Sequence, residues 1–200
     1  MNTDGLPGLG ADAAVAAALF AVDPAGLGGV ALRAAAGPVR DQWLALLRHL
    51  LPAGTPQRRI PLNTTDASLL GGLDLAATLQ RGRPVAQAGV LAQADGGIAL
   101  LAMAERVPAG VAARLAAVLD THEVVAERDG LAIRHSARLG LVALDEGMTD
   151  EEQMPAALLD RMAFHLDLNA RAPVQDIPDW QPAEIVQARA LLAQVRVSDD

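Results

Sequence analysis

Short, unbroken apolar runs alternate along this chain with segments whose apolar residues recur at helical spacing. That alternation leaves few folds open. Gly97 to Met103 and Leu139 to Leu144 carry no charged residue, as expected of strands buried on both faces of a sheet. Ala13 to Val22 is a third such run; it stops at Asp23-Pro24 and leads into Gly26-Leu27-Gly28-Gly29. This stretch predicts a strand, a glycine turn and a helix beginning near Val30. Arg59 to Leu62 and Phe164 to Leu168 predict shorter strands. Helical spacing marks Asp41 to Leu51, through Trp43, Leu44, Leu47, Leu50 and Leu51, before Pro52 ends it. Leu69 to Leu79, Ala86 to Ala94, Val111 to Leu119, Ala156 to Met162 and Ala183 to Val195 predict further helices. Val124 to Arg128 and Leu131 to Arg134 flank Asp129-Gly130, a hairpin signal because glycine tolerates positive φ. Strands alternating with helices imply an α/β fold with a parallel sheet covered on both faces, the hairpin being an insertion.

The core must be built largely from aliphatic residues, since the only aromatics are Phe20, Trp43, Phe164 and Trp180. A formal net charge of −8 argues against general attraction to nucleic acid. The absence of cysteine excludes disulfides, thiolate metal sites and a cysteine nucleophile. Every basic residue is an arginine, so no lysine can serve as a Schiff base, general base or phosphate-binding group. No stretch reads as a signal peptide or a membrane span, which makes the cytoplasm the expected location. The proline-rich stretch from Pro173 to Pro182 divides an expected core, residues 1–172, from a linker and first helix of a truncated lid, residues 173–200.

Four colinear segments carry a resemblance. Arg59-Ile60-Pro61-Leu62-Asn63-Thr64-Thr65-Asp66 is followed by Gly72-Leu73-Asp74-Leu75 and Ala77-Thr78-Leu79. Gly89-Val90-Leu91-Ala92-Gln93-Ala94 precedes Gly96-Gly97-Ile98. Glu127-Arg128-Asp129-Gly130, Ile133-Arg134-His135 and Ala137-Arg138 form the hairpin, and Leu158-Leu159-Asp160-Arg161 completes the set. Together they resemble the AAA+ subunits of magnesium chelatase, and within that family the D subunit. The resemblance implies a three-layer P-loop AAA+ module with a parallel sheet, a β-hairpin insertion and the start of a helical lid. It further implies a ring-forming assembly with the ATPase I subunit, which drives a porphyrin-binding H subunit to insert Mg²⁺ into protoporphyrin IX in (bacterio)chlorophyll synthesis.

A working P-loop reads G-x-x-x-x-G-K-[ST], because backbone N–H groups and lysine hold phosphate while the hydroxyl holds Mg²⁺. Gly26, Gly28 and Gly29 are read as a degenerate version, with Gly29 at the lysine and Val30 at the hydroxyl position. Ala102 and Met103 stand where the resemblance calls for Asp and Glu, Glu105 being out of register, and no Asn lies between Gly140 and Asp160 to act as sensor. The isolated chain is therefore expected to lack ATPase activity, with Mg-ATP held by the partner subunit. The resemblance implies that Arg161, supported by Asp160, is an arginine finger acting in trans.

Other readings carry less. Gly26-Leu27-Gly28-Gly29-Val30-Ala31 also fits a dinucleotide-binding pattern, but the acidic residue required at the end of a second strand falls in the Asp41 to Leu51 helix. His49, His122, His135 and His165 show no metal-ligand spacing, and Ser136 lacks nucleophile-elbow glycines. The cluster Asp145, Glu146, Asp150, Glu151 and Glu152 reads as a solvated loop, with Mg²⁺ binding as a second reading. A scaffold derived from an AAA+ domain and unrelated to chelatase is the alternative from another functional class.

Overall fold

The structure is a computed structural model, described here for residues 9–128, 131–149, 151–169 and 178–195. Five parallel strands form its centre: β1 (Gly29–Arg33), β2 (Gln57–Ile60), β5 (Ile98–Leu101), β8 (Gly140–Asp145) and β9 (Phe164–Asp167). They lie in the order β2-β5-β8-β1-β9, so the most apolar segments occupy the middle of the sheet. Pairing runs from Gly29↔Leu141 to Arg33↔Asp145 on one side of β1 and from Val30↔Phe164 to Arg33↔Asp167 on the other. This register divides side chains between two cores. Val30, Leu32, Val142 and Leu144 face one cluster, while Ala31, Leu141 and Ala143 face the other.

The first cluster is covered by α1 (Ala11–Val22) and α2 (Pro38–Leu50). The indole Nε1 of buried Trp43 donates to the Ala13 carbonyl at 2.8 Å, fastening the two helices together. The last helix, α7 (Pro182–Leu192), rests on the same layer through buried Ile185 and through Arg189, which donates twice to the Ala21 carbonyl. The opposite face is covered by α5 (Ala109–Thr121), α3 (Asp66–Leu70) and the single turn α6 (Ala156–Leu159).

Three expectations are corrected. Ala13 to Val22 is helix, not strand, because six of its ten residues are alanine, the best helix former. An unbroken apolar run cannot by itself separate a buried helix from a buried strand. Gly29 to Arg33 is strand, not the start of a helix, held on both sides by β8 and β9. The segments around residues 69–94 are not two helices. They hold α3, β3 (Gly71–Leu73), α4 (Leu75–Arg81) and β4 (Ala86–Ala88), with β3 and β4 paired antiparallel. Gly71, at φ 114, breaks the helix there.

The hairpin stands as β6 (Glu123–Arg128) against β7 (Leu131–Ser136), while its expected turn, Asp129-Gly130, lies outside the described residues. Much of the Pro173 to Pro182 stretch, residues 173–177, also lies outside them.

Candidate functional site

In an open parallel sheet, ligands bind beyond the carboxyl ends of the strands, where the chain leaves one strand for a helix. The strand–loop–helix unit of a P-loop corresponds here to β1, residues 34–37 and α2. Gly26 and Gly28 lie before β1 and Gly29 is its first residue, between a helix and a strand, at the opposite rim. The secondary structure expected around them is thus reversed. Their amides are also turned inward: Gly26 N donates to Asp23 Oδ1, Gly28 N to the Ala25 carbonyl and Gly29 N to the Leu27 carbonyl.

The carboxyl rim is occupied by the chain's own groups. Pro38 begins α2 and has no N–H to offer, and Val39 follows it without a hydroxyl. Ala34 N donates to the Asp145 carbonyl at 2.9 Å and Ala35 N to Asn169 Oδ1 at 3.1 Å. One turn into α2, the Arg40 guanidinium reaches across to Glu146, just past β8, at 2.6 Å. The Arg40 side chain is only 14% exposed and Glu146 33%. Arg33 donates to the Thr149 carbonyl at 2.6 Å and tethers the same loop. The Glu105 side chain, 3% exposed, accepts from Glu146 N at 3.0 Å. Asp145 is buried and its Oδ1 accepts from Gly147 N. Asp145 and Glu146 therefore do not belong to a solvated loop, which corrects the reading of that acidic cluster. After β5, Ala102 and Met103 supply no carboxylate, and Met103 takes a left-handed conformation.

This donor set does not fit Mg-ATP. A phosphate would meet a proline, with no N–H to offer, at the start of α2. It would also meet the Ala34 and Ala35 amides already bonded elsewhere and a carboxylate-bound arginine.

At the amino rim the geometry differs. Arg161 follows α6 and lines an open depression of about 370 Å³ with Gly26, Gly28, Asp120, His122 and Asp160. Its Nε and Nη2 form a fork on Asp120 Oδ1 and Oδ2 at 2.7 and 2.6 Å, and Nη1 donates to the Ala157 carbonyl at 2.7 Å. The side chain remains 33% exposed and Asp120 49%. Hydrogen bonding to Arg161 lowers the Asp120 pKa below its ordinary 3.8, and the same bond raises that of the guanidinium. Asp160 adds a favourable charge interaction with Arg161. His122 ends α5 in a left-handed conformation, and its buried Nδ1 has no protein partner among the described residues. Gly28, at φ 69, lies so close to the Arg161 carbonyl oxygen that a Cβ could not fit between them.

The structure thus brings together Arg161, Asp160, Gly26 and Gly28, and it adds Asp120 and His122, for which the sequence carries no local signal. Asp120 lies 41 residues from Arg161, and Arg40 lies 106 from Glu146. Only the tertiary fold joins either pair.

No family model matches the chain. A search of characterised proteins finds it 42% identical over 179 residues, 88% of its length, to the magnesium-chelatase 60 kDa subunit of Cereibacter sphaeroides. The chain belongs to the magnesium chelatase family. It spans 28% of the length of that 60 kDa subunit. The magnesium-chelatase 38 kDa subunit of the same organism is 34% identical over 60% of this chain, a shorter and weaker match. The likeness therefore lies with the larger chelatase subunit. A solved structure of the complex between the BchI and BchD subunits of magnesium chelatase shares the AAA+ fold at a TM-score of 0.59 and 23% identity. It covers 92% of this chain and 67% of that one. Among the described residues, no helix is long and apolar enough to cross a membrane.

Proposed function

We propose that this chain is a magnesium-chelatase AAA+ module that does not hydrolyse ATP itself and lends Arg161, supported by Asp160, to nucleotide held by a neighbouring ATPase subunit. The observation that carries this reading is the contrast between the two rims. At the carboxyl rim, Arg40 and Glu146 close the cleft with an ion pair. At the amino rim, an arginine stands partly exposed in an open depression. A guanidinium placed against a γ-phosphate neutralises charge that develops during its transfer and raises the rate by about 10³–10⁵.

In this reading the P-loop relic is the connection through residues 34–37, not the glycines before β1. The assembly is a mixed ring with the I subunit, acting in the cytoplasm on a porphyrin-binding H subunit. ATP and Mg²⁺ in the ring belong to the I subunit, and the reaction served is Mg²⁺ insertion into protoporphyrin IX. The relatives' names support the chelatase part of the proposal.

The test is ATP hydrolysis by I subunit mixed with the full chain, wild type or Arg161→Ala. The expected result is a fall of more than about tenfold in the ATPase rate of the mixed ring, with no ATPase from the chain alone. An unchanged mixed-ring rate removes the finger role. Turnover by the chain alone, free of contaminating ATPase, removes the non-hydrolysing role.

A further inference from the structure

A guanidinium that must meet a phosphate on another molecule faces an entropic problem: the arginine side chain is long and loses much rotamer freedom when fixed. Its effect in a transition state depends on being aimed before the reaction begins. The surroundings of Arg161 bear directly on that requirement. The guanidinium has five N–H donors in a rigid plane. Three are committed, two to Asp120 and one to the Ala157 carbonyl. The remaining two, one on Nη1 and one on Nη2, have no partner among the described residues and can meet an incoming oxygen.

We infer that Asp120 is a positioning residue that holds Arg161 aimed by its Nε edge, leaving the free terminal N–H groups to a neighbour's phosphate. Asp120 sits in the last turn of α5, a thirteen-residue helix packed against the sheet through Val111, Ala112, Leu115, Ala116, Val118 and Leu119. The anchor is therefore carried on a helix whose other face is buried in the core. The Ala157 carbonyl fixes the guanidinium from a second direction. Arg161 need not leave Asp120 to act, because the fork occupies a different edge of the plane from the free donors. The carboxylate also cannot itself bind the incoming phosphate, since like charges repel; it serves only through the arginine.

This inference rests on the finger role proposed above, and the experiment separates the two. Asp120→Asn keeps the shape but loses the charge and one acceptor. In mixed rings of the full chain with I subunit, Asp120→Asn should lower kcat for ATP roughly ten- to a hundredfold, the scale of a misplaced catalytic group. KM for ATP should stay within about twofold, because Arg161 contributes after nucleotide is bound. The double variant Asp120→Asn with Arg161→Ala should be no slower than Arg161→Ala alone. In the isolated chain, ¹⁵N NMR should show a slowly exchanging Arg161 Nε proton that Asp120→Asn abolishes without loss of overall fold. If Arg161→Ala slows the ring but Asp120→Asn leaves kcat unchanged, Asp120 has no positioning role and the finger stands. If the double variant is slower than Arg161→Ala, Asp120 acts by another route and the inference fails. An unchanged rate for Arg161→Ala removes both.

Discussion

The α-carbon of Gly28 lies against the main-chain carbonyl of Arg161, with no space between them for a methyl group. Gly28 also sits at φ 69, where a side chain is strained. Any residue with a Cβ must therefore push the start of β9 away from β1 and move Arg161 from its place. Gly28→Ala is expected to destabilise the chain by about 1–3 kcal/mol, read as a lower denaturant midpoint. It should also weaken ATPase stimulation in mixed rings beyond what the lost stability accounts for.

Closure of the carboxyl rim has its own signature. Removing the Glu146 charge leaves Arg40 largely buried and unpaired. Because Glu146 is a third exposed, solvent softens the effect. Glu146→Gln is expected to cost about 1–3 kcal/mol in chemical denaturation. Neither the wild-type chain nor this variant should bind a nucleotide analogue in calorimetric titration, since Pro38 still withholds its amide.

Trp43 is fully buried and its indole N–H is bonded to the Ala13 carbonyl. Trp43→Phe fills most of the volume but removes the hydrogen bond that ties α2 to α1 and leaves a small cavity beside it. A loss of about 1–3 kcal/mol is expected, measured by thermal or urea unfolding.

The Asp120–Arg161 pair should respond to acid. Hydrogen bonding to Arg161 lowers the carboxyl pKa in the folded chain, so the pair's contribution to stability is complete above the ordinary value of 3.8. It declines as pH falls through the depressed folded value. The melting temperature of wild type should therefore converge on that of Asp120→Asn below about pH 4 and separate from it above. Curves that stay parallel across this range would show that the pair does not form in solution.

The sheet was legible where composition and position agree. Ile98 to Leu101 and Gly140 to Asp145 are apolar runs between turn residues, and both are central strands. The helices around Trp43 and Leu115 show their periodicity openly. Alanine defeated the reading of residues 13–22, because a run of small apolar residues fits a buried helix or strand equally by pattern. The three glycines at the entry to β1 drew the phosphate-loop assignment away from residues 34–37, where one glycine and a following proline leave little signature. The helix itself was visible in the spacing from Asp41, although it begins three residues earlier, at Pro38. Arg161 was singled out through its segment's family resemblance. Its partner Asp120, and the Arg40–Glu146 pair, were not, since contacts between distant residues leave no periodicity to find.

The two rims also bear on polarity. In the proposed reading, with Arg161 at one rim and the Arg40–Glu146 pair closing the other, the chain completes a neighbour's catalytic site in one direction only. Two copies meeting face to face would bring like surfaces together and activate nothing. Repeated head-to-tail contact is the arrangement that closes into a circle, and in the proposed ring each chain of this kind interrupts the succession of working sites.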